Sequence, residues 1–142
     1  MIKKTGSARW HGGLREGSGH VSTQSGVLSD EPYGVAQRFE GDKGTNPEEL
    51  IGAAHASCYS MALSMILGQH ELTADRIETT AEVSLEQQGE GWAVTRSHLT
   101  VVARIPDGSE ERFREAAEAA KANCPISKLL NAEITMDARL EA

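Results

Sequence analysis

The sequence predicts an α+β fold in which antiparallel β-hairpins surround one long central helix, and three observations carry that prediction. Residues 46–68 form the longest apolar stretch in the chain. Before and after it lie short segments of alternating polarity joined by glycine-containing turns, the pattern of half-buried strands. Behind the second such pair, Glu110–Asn123 is rich in Ala and Glu and follows Ser109, a good helix cap. At 142 residues, 39% hydrophobic and 25% charged, the chain is long enough for one real core and is read as a single soluble domain over residues 1–142.

The central helix is delimited locally. The Asn46 side chain can accept a free backbone N–H, and Pro47 at the first helical position has no N–H to leave unpaired. Glu48 and Glu49 sit where the helix dipole favours negative charge, and Gly68 is the expected stop. Inside, the helix is apolar nearly all round, with small residues at Gly52, Ala53, Ala54, Ala56 and Ser57 and large ones such as Leu50, Met61, Leu63 and Met65. Such a helix needs cover on several sides. Either the other elements of one chain bury it, or its small-residue face meets a second copy across a dimer interface.

Formal net charge is −7, which disfavours nucleic acid or an anionic membrane as the main partner, since both reward a basic surface. His, Ser and Gly interrupt the apolar run, so no membrane span is expected. Met1 to Gly6 leads directly into polar sequence without the apolar core of a signal peptide, so the expected compartment is the cytoplasm. In that reducing setting, two cysteines read as thiols used for chemistry rather than as a staple. Cys-x-x-Cys and finger-type Cys/His spacing are missing, so a structural zinc site is not expected.

In chain order, residues 5–10 and 19–23 predict an opening hairpin around a glycine-rich connection, and Tyr33 to Phe39 a third strand with Arg38 near its end. After the helix, Ile77 to Glu86 and Trp92 to Arg104 form the clearest hairpin, turning at Gln88–Gly91. Residues 132–140 predict a last strand. Between helix and strand, Cys124 precedes Pro125, which disfavours helix at the residue before it and can begin a new turn. Cys124 is therefore expected at a helix N-terminus, where a thiolate is favoured.

Cys58 lies within the central helix. If the fold brings Cys58 and Cys124 together, the pair has the parts of a two-cysteine peroxidase, in which one thiolate becomes a sulfenic acid and the other condenses with it to a disulfide. The attacking sulfur needs a nearby positive charge to ionise at neutral pH. Arg38, fixed by a glutamate, is the candidate, although a solvated arginine fits the same pattern. Glu48 and Cys58 stand about 15 Å apart along one helix. Glu48 must then reach the thiol through a long arginine or from the other chain of a dimer.

The run from Asn46 through Cys58 to Leu63, with Ser25-Gly-Val-Leu, Arg38-Phe-Glu-Gly, Lys43-Gly-Thr and Asn123-Cys124-Pro125-Ile-Ser, resembles the OsmC/Ohr family, and more closely its OsmC (osmotically inducible protein C) branch. The resemblance runs essentially end to end. It implies an OsmC-like fold, antiparallel sheets around a long buried central helix, in an intertwined homodimer with active sites at the subunit interface. It also implies that Cys58 is the peroxidatic thiol, Cys124 the resolving one, and Arg38–Glu48 the salt bridge that activates Cys58. The activity it implies is reduction of organic hydroperoxides to alcohols, with re-reduction by a dithiol or a lipoyl protein and no metal or haem. Tyr59 stands where relatives often carry phenylalanine.

Two rivals remain at the level of sequence. A Cys–His hydrolase or acyltransferase would use His55, three residues before Cys58 and on its face, as a base and would not need Cys124. A non-enzymatic dimer binding an apolar ligand would not need Cys58. The surroundings expected from Met61, Met65 and Ile66 suit an organic tail under either the peroxide or the ligand reading. His11, His20, His70 and His98 carry no ligand spacing, and Met65 and Met136 read as core filling.

Overall fold

The computed structural model describes residues 1–141 and divides into two compact units, Met1–Leu50 and Ile51–Ala142. In the first, strands β1 (Gly6–His11), β2 (Ser18–Thr23) and β3 (Glu31–Tyr33) form an antiparallel sheet in that order, followed by a short helix α1 (Val35–Phe39). The opening hairpin lies where alternation predicts it. The third strand does not. It ends at Tyr33, because the chain turns at Gly34, whose carbonyl accepts the Arg38 N–H at 3.1 Å, and Thr45 returns to donate both its N–H and its hydroxyl to the Pro32 carbonyl. Over seven residues, Val35, Ala36 and Phe39 fit one helical turn as well as a strand.

Helix α2 (Pro47–Gln69) begins as expected. The Glu49 N–H donates to Asn46 Oδ1 at 2.8 Å, and Asn46 Nδ2 reaches back to Glu49 Oε2, closing a reciprocal cap. Its end lies beyond the expected Gly68. Glu71 takes the left-handed conformation (φ 59°), its N–H bonding to the Gly68 carbonyl and the Leu72 N–H to the Leu67 carbonyl. This is a Schellman closure with glutamate in the place that favours glycine.

The second unit holds the body of α2, strands β4 (Arg76–Gln88) and β5 (Gly91–Arg104), helices α3 (Glu110–Asn123) and α4 (Pro125–Leu129), and strand β6 (Glu133–Glu141). β4 and β5 pair antiparallel through a two-residue loop in which Gly89 supplies the positive φ of 62° that the turn needs. The sheet order is β4-β5-β6, and β6 joins β5 in parallel. Alternation cannot state strand direction. Here the α3–α4 crossover sets it, since only a crossover of this length returns a chain to run parallel to the strand it left.

One face of this sheet carries the core. Leu99, Val101 and Ala103 of β5 pack with Tyr59, Leu63 and Leu67 of α2 and with Phe113, Ala116, Ala117 and Ala120 of α3. These are the i, i+4 rows of two helices against alternate residues of a strand. At Gly52 the helix comes so close that an added Cβ would lie 3.0 Å from the Ala81 carbonyl oxygen.

By length and composition α2 could cross a membrane, with a mean hydropathy of 1.5 over its best window, so the interrupting polar residues do not exclude a span as the sequence reading expected. A core helix passes the same test, and α2 packs as one on its buried side. Its other side is open. Ala54, Ser57, Met61, Ser64 and Gly68, spaced three and four apart, form an exposed stripe. Met61 and Met65, expected near the thiol or in the core, are exposed.

Candidate active site

Of the four residues singled out from sequence, each unit brings two together. In the N-terminal unit, Arg38 on α1 meets Glu48 in the first turn of α2, with Nη2 donating to Oε1 at 2.8 Å and Nε to the same oxygen at 3.1 Å. Asn46 helps to set this meeting, because besides capping α2 it donates from Nδ2 to the Gln37 carbonyl in the middle of α1. Glu48 is largely covered, whereas Arg38 keeps part of its guanidinium accessible, 5.5 Å from the centroid of the Phe39 ring. An arginine gripped by one carboxylate at its Nε edge retains N–H groups for a second anion.

Beside it lies a cavity of about 280 Å³ lined by Trp10, Leu14, Tyr33, Val35, Arg38 and Phe39, with Trp10 and Tyr33 in a tilted ring contact at 5.6 Å. An apolar wall with one cation suits a molecule with an organic body and a polar end. By sequence Trp10 falls within the opening hairpin and carries no mark of a pocket wall. The signal that could have found this cavity, aromatic residues on three separate short elements, has no spacing that periodicity can detect.

In the C-terminal unit, Cys58 on α2 and Cys124 at the α3–α4 joint are free thiols near enough to perturb one another, Cys58 partly exposed and Cys124 fully buried. Cys124 has non-helical backbone angles (φ −54°, ψ 128°). Its N–H closes α3 on the Ala120 carbonyl, and its carbonyl opens α4 by accepting the Lys128 N–H. The proline-marked break therefore exists, and Cys124 stands at the N-terminus of α4 as expected. The backbone amide of Ile126, in the first turn of α4, acts on the Cys58 thiol. Burial raises the Cys58 thiol above its ordinary range, first by desolvation and then through the contact with Cys124, while the Ile126 amide pulls it down. A nucleophile in this frame needs further positive charge to ionise at neutral pH.

His55 is fully buried, with Nδ1 2.7 Å from the Ser97 hydroxyl and Nε2 2.8 Å from the Ser127 hydroxyl. Both ring nitrogens are thus engaged away from Cys58. That arrangement removes the base which a Cys–His hydrolase requires. Burial lowers the His55 pKa and keeps the ring neutral, with one nitrogen donating and the other accepting. Tyr59, next to Cys58, turns into the core and donates from its hydroxyl to the Ala117 carbonyl at 3.1 Å, with Met136 Sδ at 3.2 Å. Burial pushes its phenol well above the ordinary range.

A family model described as OsmC-like protein matches residues 40–139. Peroxiredoxin OsmC of Escherichia coli (strain K12) is 50% identical over 141 residues, 99% of each chain. The organic hydroperoxide resistance protein OhrB of Bacillus subtilis (strain 168) is 29% identical over 125 residues, 87% of this chain and 88% of its own. The crystal structure of Bacillus subtilis OhrB aligns at a TM-score of 0.67 over 96% of this chain and 98% of that one, with 28% identity. An OsmC-like protein from Mycoplasma pneumoniae, at 16% identity, shares the fold at a TM-score of 0.76, with 99% of both chains covered.

Proposed function

The chain belongs to the OsmC-like family, and from that membership we propose that it is a thiol-dependent peroxidase that reduces organic hydroperoxides to alcohols. The Cys58 thiolate attacks the terminal oxygen of the hydroperoxide, the O–O bond breaks, and the alkoxide takes a proton and leaves as the alcohol. Cys58 is then a sulfenic acid. Cys124 attacks its sulfur, an S–S bond replaces the S–O bond, and the hydroxide leaves as water with the Cys124 proton. A dithiol or a lipoyl protein returns both thiols. Arg38, held by Glu48, supplies the charge that ionises Cys58 and receives the developing negative oxygen.

The observation that carries this reading is the contact between two free thiols far apart in sequence, Cys58 and Cys124, with a backbone amide on the first of them. The names of the Escherichia coli and Bacillus subtilis relatives, a peroxiredoxin and an organic hydroperoxide resistance protein, support the substrate class. The apolar cavity beside Arg38 supports a preference for bulky alkyl hydroperoxides over hydrogen peroxide.

We also infer a homodimer, in which the exposed stripe of α2 meets its own copy and the uncovered strand β1 is buried. A stripe of small residues lets two helices approach closely, and an exposed edge strand calls for cover. The reading includes a cytoplasmic role in defence against oxidative and osmotic stress, without nucleic acid or membrane as partner. Mass spectrometry after one equivalent of cumene hydroperoxide tests the chemistry, the expected product being a Cys58–Cys124 crosslink within one chain. Recovery of both thiols unchanged would overturn it.

A further inference from the structure

We propose that the hydrogen bond between His55 and Ser127 is a tether that holds the Cys124 joint against Cys58, making His55 and Ser127 positioning residues for disulfide formation. The rate part of this inference rests on the peroxidase reading, whereas its equilibrium part does not.

His55 and Cys58 lie three positions apart on α2 and so share a face. Opposite them, Cys124 and Ser127 are also three positions apart, across the start of α4. Two rungs therefore join the same pair of walls. Thiol meets thiol at one, and imidazole meets hydroxyl at the other. The first rung changes with oxidation state; the second does not.

The wall that carries Cys124 needs such a support. Helix α4 has five residues, a single turn that gains little from its own hydrogen bonds, and it follows a non-helical joint. Ser127 is the one residue of α4 that is buried, while Leu129 at its end is 73% exposed. The imidazole is in turn fixed from its far side by Ser97 of β5, so the ring is a rigid spacer between sheet and joint rather than a side chain free to swing. With both nitrogens bonded and the ring kept neutral by burial, no other acid or base is required to hold it.

Disulfide bonding accepts a narrow range of sulfur separations and dihedral angles, and displacements on the order of 1 Å are costly for a reaction between two held groups. In the resolving step the Cys124 sulfur attacks the Cys58 sulfenic acid, the S–S bond forms, the S–O bond breaks, and the Cys124 proton leaves with the hydroxide as water. What the tether supplies is effective concentration of the Cys124 sulfur.

The test compares the full-length protein with Ser127→Ala and, as a second and milder change at the far end of the ring, Ser97→Ala. In glutathione redox buffers without peroxide, the fraction carrying the Cys58–Cys124 disulfide is read by alkylation and mass spectrometry. Ser127→Ala is expected to need about tenfold more oxidising buffer for half-formation, the size of one lost hydrogen bond, and Ser97→Ala about threefold. After cumene hydroperoxide, trapping with dimedone should find the Cys58 sulfenic acid living about tenfold longer in Ser127→Ala. Midpoints and lifetimes equal to those of the unaltered protein in both variants would overturn the tether. A shifted midpoint in buffer, with no sulfenic acid formed by peroxide in the unaltered protein, would support the tether and overturn the peroxidase reading instead.

Discussion

The two units of this chain meet the demand for burial in opposite ways. Among the described residues, every buried hydrophobic side chain belongs to the C-terminal unit, from Tyr59 to Cys124, where two helices cover one sheet face. In the N-terminal unit only Gly19 and Asn46 are buried, and all six residues of β1 are exposed. A unit of about 50 residues has little apolar surface to bury and is marginal by size. The candidate chemistry divides along the same line. The sulfurs sit in the unit with the rigid core, while the guanidinium and its carboxylate sit in the unit without one.

The comparison is broken or sharpened most strongly by activity. Cys58→Ser should reduce peroxide consumption to background, and Arg38→Ala should lower it on the order of 100-fold, the usual cost of removing a charge-stabilising donor. Both are read by a coupled assay with cumene hydroperoxide and a dithiol. An unchanged rate in Arg38→Ala would sever the two units functionally, and peroxide consumption undiminished in Cys58→Ser would overturn the assignment of Cys58 as the nucleophile.

Stability should show the asymmetry next. Leu63→Ala, in the C-terminal core, is expected to cost about 3 kcal/mol in urea unfolding. Tyr33→Ala, which removes the partner of Trp10 in the N-terminal unit, should cost about 1 kcal/mol. Equal losses would mean that the N-terminal unit is better buried in solution than the single chain suggests.

Acid should probe the frame around the thiols. The His55 pKa is lowered from 6.5 in the folded chain, so the unfolded chain binds the extra proton first. Stability from this residue is present above pH 6.5 and is lost as pH falls through the folded value, with a slope of at most about 1.4 kcal/mol per pH unit. In His55→Gln that part of the slope should vanish from unfolding curves measured between neutral and mildly acidic pH. A slope identical in the variant would assign the acid sensitivity to other groups.

The smallest effect lies at the end of α2. Glu71→Gly should raise unfolding stability by about 0.5–1 kcal/mol, because glycine takes the left-handed conformation at little steric cost while its own entropy offsets part of the gain. Calorimetry checks it, and a loss of stability would show that the Glu71 side chain contributes more than its backbone strain costs.

Much of the architecture was legible because its signals act over a few residues. The Asn46 cap, Pro47, the turn at Gly89 and the Ser109 cap each bond or bend within four positions, and each element they delimit begins where they stand. The exceptions are instructive. At Val35–Phe39 a stretch too short to reveal its period became helix, and at Gly68 the expected stop passed to Glu71, since a Schellman closure is chosen by the packing of Leu72 against the core as much as by the residue at the turn. Cys58, Cys124, Arg38 and Glu48 were visible as residue types, and their pairing followed only from the family resemblance, not from spacing or periodicity. Ser97, Ser127 and the Ile126 amide escaped notice because a serine or a backbone N–H has no pattern until a partner from elsewhere in the chain reaches it.

What the sequence determined by itself was therefore local: one capped apolar helix, a hairpin on each side, an Ala- and Glu-rich helix, and a proline break beside a cysteine. The tertiary structure alone decided that the Ile126 amide of α4 acts on Cys58, that His55 is locked by two serines, and that β6 runs parallel. Caps, turns and periodicity are energies between neighbours along the chain. Contacts between distant residues depend on how whole elements pack, and that is a property of the path the chain takes through space.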